Sequence, residues 1–341
     1  MNDMPTAAPA TMRAVTATQW GGPEVLAEAR VARPAPGPTE ILVRVHAAGL
    51  NPVDWKSRAT GGFGMWDETP VLGYDVSGVV EAVGLGVTLY APGDEVFGMP
   101  AFPRQAGGYG EYVTGPARHF ARKPAALSHV EAAALPLAGL TAWQALTGTA
   151  ELRAGQRVLV HAAAGGVGHL AVQIAKARGA YVIGTASAAK HGFLRALGVD
   201  EPLDYTTTDF AEVVRDVDIV LDCYGGDYGT RSLRVLRDGG TLVTLPSPDA
   251  VPPVTERGIR TGFTLVEPDY AGLLGLVELV ETGRLRPEVD TVLPLAEAAK
   301  AHELGESGRT RGKIVLTVVR TRPEPSAGGA AQHGEAGAGR P

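Results

Sequence analysis

The chain has 341 residues, 45% of them apolar and 20% charged, and carries a net charge of -6 at pH 7. That length exceeds a single hydrophobic core and favours two domains, while the acidic balance argues against a nucleic-acid partner, which needs a basic face. One cysteine, Cys223, excludes an intrachain disulfide and a multi-cysteine zinc cluster.

In chain order, residues 1–11 read as a disordered start, because MNDMPTAAPA holds few large apolar side chains to offset ordering entropy. The same stretch lacks a basic start followed by an apolar run, and no later run is long enough for a bilayer, so a cytoplasmic protein is expected. From 12 to 135, short β-rich runs such as EILVRVHAAG and VSGVVEAVG are cut by Gly and Pro turns, which predicts a compact, mostly β domain. Within it, GGFGMWDETP, residues 61–70, sets Phe63, Met65 and Trp66 in a glycine-rich loop. It reads either as a cover over a flat apolar ligand or as interdomain packing.

From 136 to 285 the texture changes. The apolar runs RVLVHA, YVIGTA and VDIVLDC alternate with the helix-length segments VGHLAVQIAKARG and KHGFLRALG, which predicts an α/β, doubly wound parallel sheet covered on both faces. Cys223, in DIVLDCY, reads as a small buried hydrophobe. A helix over YAGLLGLVELVETG leads to LPLAEAAKAHELGE and then to the strand GKIVLTVV, within 286–320. Periodicity leaves open whether that strand closes the α/β domain or returns to the first. The tail, 321–341, is rich in Ala, Gly and Pro and reads as disordered.

The segment VLVHAAAGGVGHLAVQIAKARGA runs from a strand through Ala163, Ala164, Gly165, Gly166, Val167 and Gly168 into a helix. It is the dinucleotide fingerprint with alanine in the first glycine position. Glycines there remove the Cβ atoms that would block a pyrophosphate, and the helix N-terminus offers free N–H groups. At the end of the following strand an NAD site usually places an acidic residue. Here Ser187 and then Lys190 stand in GTASAAKHGF, a hydroxyl and a cation suited to a 2′-phosphate, so NADP(H) is expected over NAD(H). Taken alone, Lys190 also reads as a solvated helix lysine. Tyr205, after the next short strand, is placed to cover the adenosine phosphate. His119, His161 and His169 are scattered rather than set at metal-ligand spacing.

The order of NPVDWKSR, LGYDVSGVVEAVG, GDEVFG, GGYGEYV, ALPLAGLTAWQAL and the glycine loop resembles the zinc-independent quinone oxidoreductase branch of the medium-chain dehydrogenase/reductase superfamily. The resemblance runs from about Met12 to Val319. It implies a GroES-like, mostly β catalytic domain formed by 12–135 and the return segment 286–320, a Rossmann domain between them, a cleft-bound active site and a homodimer. Zinc-dependent relatives carry cysteine and histidine where this chain has Asn51 and Tyr74, so no metal site is expected. The resemblance places Asn51 and Asp54 at the substrate end of the cleft with Trp55 and Lys56 nearby. Asn51 is the first choice for a polar contact to substrate or nicotinamide, and Asp54 is read as orienting its neighbours. Lys56 reads as an oxyanion stabiliser or a surface lysine, and Tyr74 as a donor to the acceptor carbonyl or as packing beneath the cleft. It also carries over Thr141 near the nicotinamide and Lys313 near the cofactor phosphates.

The implied activity is NADPH-dependent hydride transfer to a quinone or an α,β-unsaturated carbonyl, including enoyl reduction. Such small-molecule acceptors spread incoming charge without metal activation. The alternative is an NADPH-binding sensor or regulatory protein without significant turnover.

Overall fold

The computed structural model describes residues 11–64, 70–251, 253 and 257–319. Residues 1–10 and 320–341, together with Met65 and Trp66, lie outside the described residues. Thr11, assigned by the sequence to the disordered start, instead opens strand β1 (Thr11–Ala17), because its backbone pairs with Ala32 of β2 (Leu26–Ala32) in an antiparallel ribbon.

The chain continues through β3 (Glu40–Gly49), helix α1 (Pro52–Thr60), β4 (Asp75–Val83), β5 (Glu95–Gly98), β6 (Tyr112–Pro116) and β7 (Phe120–Arg122). Helix α1 starts where Pro52 presets φ at the first helical position and the Asp54 carboxylate accepts the N–H of Asn51 at 2.7 Å. It stops at Gly61, whose φ of +84° suits only a residue without Cβ. Helices α2 (His129–Ala133) and α3 (Pro136–Trp143) then lead to the second sheet.

That sheet contains β8 (Arg157–Val160), β9 (Tyr181–Ala186), β10 (Glu201–Asp204), β11 (Val217–Asp222), β12 (Leu236–Thr244) and β13 (Arg260–Phe263). Helices α4 (Gly168–Ala177), α5 (His191–Ala196), α6 (Phe210–Val213) and α7 (Tyr228–Ser232) connect its strands. All of its pairings are parallel, in the order β10-β9-β8-β11-β12-β13. Numbered within the sheet, this is 3-2-1-4-5-6, the Rossmann order, with its switch point between β8 and β11. The unbroken apolar strands are explained by burial on both faces. Leu159, Ile183 and Val220 pack with Phe210 on one side, and Val158, Val182 and Leu221 with Leu170 and Ile174 of α4 on the other.

After α8 (Tyr270–Glu281) come β14 (Val289–Pro294), α9 (Ala298–Glu306) and β15 (Lys313–Thr317). β15 runs antiparallel to β3, giving the order β14-β15-β3-β4-β5-β7 with β6 also on β3. The strand whose destination periodicity left open therefore joins the first sheet.

Two hydrogen bonds tie this return to the loop after β8. Gly312 N–H donates to the Ala164 carbonyl at 2.9 Å. His169, in the first turn of α4, accepts the Glu288 N–H on Nε2 at 3.1 Å and donates from Nδ1 to the Gly165 carbonyl at 2.8 Å, which fixes its neutral tautomer. Burial pulls the His169 pKa from 6.5 down to about 4. The unfolded chain therefore takes this proton first as pH falls, so the stabilisation is complete above about 6.5 and is lost on the way down to about 4. His169→Gln, which lacks the ring acceptor, is expected to be about 1–3 kcal/mol less stable than the parent at pH 7.5. Thermal denaturation should show that gap narrowing by pH 4.5; a gap that stays constant or widens contradicts the assignment.

Candidate active site

A cleft of about 670 Å³ lies between the two sheets, at the switch point of the parallel one. Gly165 to Gly168 after β8 and Cys223 and Tyr224 after β11 line it from one domain; Asn51, Trp55 and Lys56 at the start of α1 line it from the other.

The glycine loop is shaped for close approach of a ligand. A Cβ on Gly168 would lie 2.3 Å from the Ala162 carbonyl oxygen and 2.8 Å from the Ala163 Cα, so only glycine lets α4 start against β8. A Cβ on Gly165 would sit 3.2 Å from the Ala162 oxygen, and one on Gly166 3.3 Å from the Lys313 side chain. Ala164 and Val167 complete the turn, which delivers the N-terminus of the ten-residue helix α4 to the cleft. These residues fit a dinucleotide's pyrophosphate.

Around the end of β9 the geometry is less simple than the sequence reading. Ser187 follows the strand directly and caps a short helical turn. Lys190 Nζ donates to the Arg309 and Thr310 carbonyls at 3.0 and 3.2 Å, so two of its three donors hold the loop before β15. That partial burial lowers its pKa. Tyr205 is exposed beside β10. The loop 308–312 brings Gly308, Thr310 and Gly312 to the cleft wall. Asp204, which the sequence reading passed over, lies in register with Ala186 on the neighbouring strand, its Oδ1 accepting from Thr206 N–H and Oγ1–H at 3.0 and 2.7 Å.

At the other end of the cleft, a buried polar cluster joins four elements. Asn51 Nδ2 donates to Asp75 Oδ2 at 2.9 Å, and the Leu137 N–H donates to Asp75 Oδ1 at 2.8 Å. Lys313 Nζ donates to the Leu50 carbonyl at 2.5 Å and to Asn51 Oδ1, and stands 3.6 Å from Asp75 Oδ2. Burial pushes the Asp75 carboxyl up and the Lys313 amine down, and the attraction between them opposes both shifts. The Lys313 stem lies against Gly166 of the glycine loop while its ammonium turns to Asn51 and Asp75. Asn51, the expected substrate contact, has both ends of its amide engaged with protein groups.

Asp54 is fully buried and holds the start of α1 through its bond to Asn51. Burial, reinforced by the Asp75 charge, pushes its pKa up to about 8. Thr141 donates to the Leu137 carbonyl at 2.6 Å within α3 and lines the cleft. Lys56 is exposed on the wall. Tyr74 is buried behind that wall: its hydroxyl donates to the Pro103 carbonyl at 3.3 Å and its ring packs edge-on against Phe102, which lines the cleft. Cys223, read as a core hydrophobe, is half-buried on the wall, and burial pushes its thiol pKa up, away from a reactive thiolate.

These donors do not suit zinc. An ammonium already occupies the Asn51 carbonyl, Tyr74 points to a backbone oxygen, and no group of three or more His, Cys, Asp or Glu able to hold a metal occurs among the described residues. Nor is any helix among the described residues long and apolar enough to cross a membrane. His161 and His169 serve structural hydrogen bonds, His161 to Thr185 and Ser232.

Two family profiles match the chain, the alcohol dehydrogenase GroES-like domain over residues 37–125 and a zinc-binding dehydrogenase domain over residues 197–316. Over 83% of its length the chain is 33% identical to the mitochondrial NAD(P)H oxidoreductase RTN4IP1 of Mus musculus, covering 82% of that protein. It is 36% identical to the 2-methylene-furan-3-one reductase of Solanum lycopersicum, over 90% of this chain and 79% of that one. The solved structure of the quinone oxidoreductase from Coxiella burnetii superposes with a TM-score of 0.84 at 38% identity, over 91% of this chain and 100% of that one. The Rossmann sheet, the glycine loop and these likenesses together place the chain in the quinone oxidoreductase-like branch of the medium-chain dehydrogenase/reductase superfamily, as an oxidoreductase that works with a nicotinamide cofactor.

Proposed function

We propose that the chain is an NADPH-dependent, metal-independent reductase that moves hydride to a quinone or an α,β-unsaturated carbonyl. The observation that carries this reading is the buried cluster of Lys313, Asn51 and Asp75, where an ammonium engages Asn51, the residue that stands where zinc-dependent relatives carry a cysteine. Without a Lewis acid to lower the pKa of an alcohol, oxidation of simple alcohols is slow. Conjugated acceptors avoid the difficulty, because the charge left by hydride addition spreads onto oxygen as a phenolate or enolate.

A nicotinamide held here would supply the hydride. The protein's part is to hold and orient. Gly165, Gly166 and Gly168 admit the pyrophosphate, and Thr141 on α3 positions the nicotinamide end. The cluster fixes Asn51 and the first turn of α1, which aims Lys56 into the cleft. There the Lys56 ammonium stabilises the developing oxyanion, and water or Lys56 returns the proton. Asp54 acts through the backbone of Asn51 rather than on the substrate. The names of the furanone reductase and the quinone oxidoreductase bear on the same class of acceptor.

Coenzyme choice rests on Ser187, Lys190 and Tyr205 around the ribose, with Asp204 on the neighbouring strand as a competing negative charge. Absorbance at 340 nm with 1,4-benzoquinone or an enone should give a kcat/KM for NADPH about ten-fold or more above that for NADH, a difference of ~1.4 kcal/mol. Ser187→Asp should reverse most of that preference, because a carboxylate repels the 2′-phosphate and accepts from a free ribose hydroxyl. Equal use of NADH by the parent protein removes the role given to Ser187 and Lys190. Tight NADPH binding with no turnover across a broad acceptor panel establishes a sensor instead.

One further part of this reading, a homodimer, comes from the resemblance. Light scattering at micromolar concentration should give twice the mass of one chain; a single-chain mass overturns the dimer.

A further inference from the structure

Large apolar side chains that stay exposed in a folded protein call for an explanation when they gather in one concavity. Three of them do so here: Phe63, 43% exposed in the turn after α1, Tyr224, 65% exposed after β11, and Leu265, 49% exposed after β13, all line the cleft. Phe63 is also the outer end of an aromatic ladder. Its ring meets that of Phe102 edge-to-face, with centroids 5.7 Å apart and planes at 85°, and Phe102 meets Tyr74 at 5.0 Å and 71°. Phe102 and Tyr74 are buried in the main core cluster, so the ladder rests on a packed base. Phe63 is its accessible rung.

An edge-to-face pair leaves ring surface over for a further aromatic partner. The face of a phenyl ring is electron-rich and a quinone ring is electron-poor, so the two attract when stacked beyond what buried area alone supplies. That attraction grows with the flat area of the acceptor. We propose that Phe63, buttressed by Phe102 and Tyr74, is the residue by which this cleft selects fused-ring acceptors over single-ring ones. The proposal rests on the reductase reading above and deepens it.

The test compares kcat/KM for 1,4-naphthoquinone with that for 1,4-benzoquinone, using NADPH, in the parent protein, Phe63→Ala and Phe63→Tyr. Only the change in this ratio between proteins matters, because the intrinsic difference in reduction potential between the quinones then cancels. The expected result is a fall of about ten-fold in the ratio for Phe63→Ala, of the order given by one lost stacking contact with its buried area, and recovery in Phe63→Tyr. Phe63 sits on an exposed turn, and an unchanged melting temperature in both variants checks that folding is intact. A ratio unchanged in Phe63→Ala, or lowered equally by Phe63→Tyr, overturns the proposal. If neither quinone turns over in the parent protein, the reductase reading fails separately, and calorimetric titration of 1,4-naphthoquinone still decides the role of Phe63. Binding about ten-fold weaker in Phe63→Ala supports it; equal binding, or none to the parent protein, overturns it.

Discussion

A lysine ammonium buried against a carboxylate, with an amide bridging the two, is the constraint on which the rest of this structure depends. Lys313 comes from β15, Asp75 from β4, Asn51 from the cap of α1, and the N–H that completes Asp75 from Leu137 in α3. Moving either ion out of water costs several kcal/mol, so the pair persists only while the other partners are in place. Loss of one partner leaves an unpaired buried charge, which costs about 3–5 kcal/mol. The cluster thereby makes the return of the chain to the first sheet a condition of folding. Through the contact of the Lys313 stem with Gly166, it also sets the glycine loop against the other end of the cleft.

The same cluster shapes the chemistry. Its cation is neutralised internally and its amide is occupied on both sides, so the floor of the cleft presents a fixed scaffold rather than an electrophile. In the proposed reading, catalytic assistance then falls to the exposed Lys56 and to the electronic nature of the acceptor.

How much of this was legible in the sequence follows from how local each signal is. The glycine loop reads directly, because the steric demand at Gly168 comes from Ala162 and Ala163, a few residues away. The parallel sheet reads from its apolar strands, since burial on both faces leaves no alternation to confuse with an amphipathic strand. Asp75 was visible as the acid in GYDVSG, yet its meaning depends on Asn51 and Lys313, which are 262 positions apart. Lys190 shows the same limit. Its charge and its place after β9 suit a phosphate, but the carbonyls that hold it belong to a loop 119 and 120 residues further on. Tyr74 stands at the expected position, and only the packed core shows its hydroxyl turned to Pro103 and its ring buttressing Phe102.

The central claim is that hydride leaves this site for a conjugated acceptor with no metal taking part. Its most direct test is to measure zinc content by mass spectrometry alongside turnover of an enone before and after exhaustive treatment with 1,10-phenanthroline. Substoichiometric zinc and unchanged enone reduction are the predicted result. Stoichiometric zinc whose removal abolishes turnover, or rapid interconversion of simple alcohols and ketones with conjugated acceptors ignored, would contradict it.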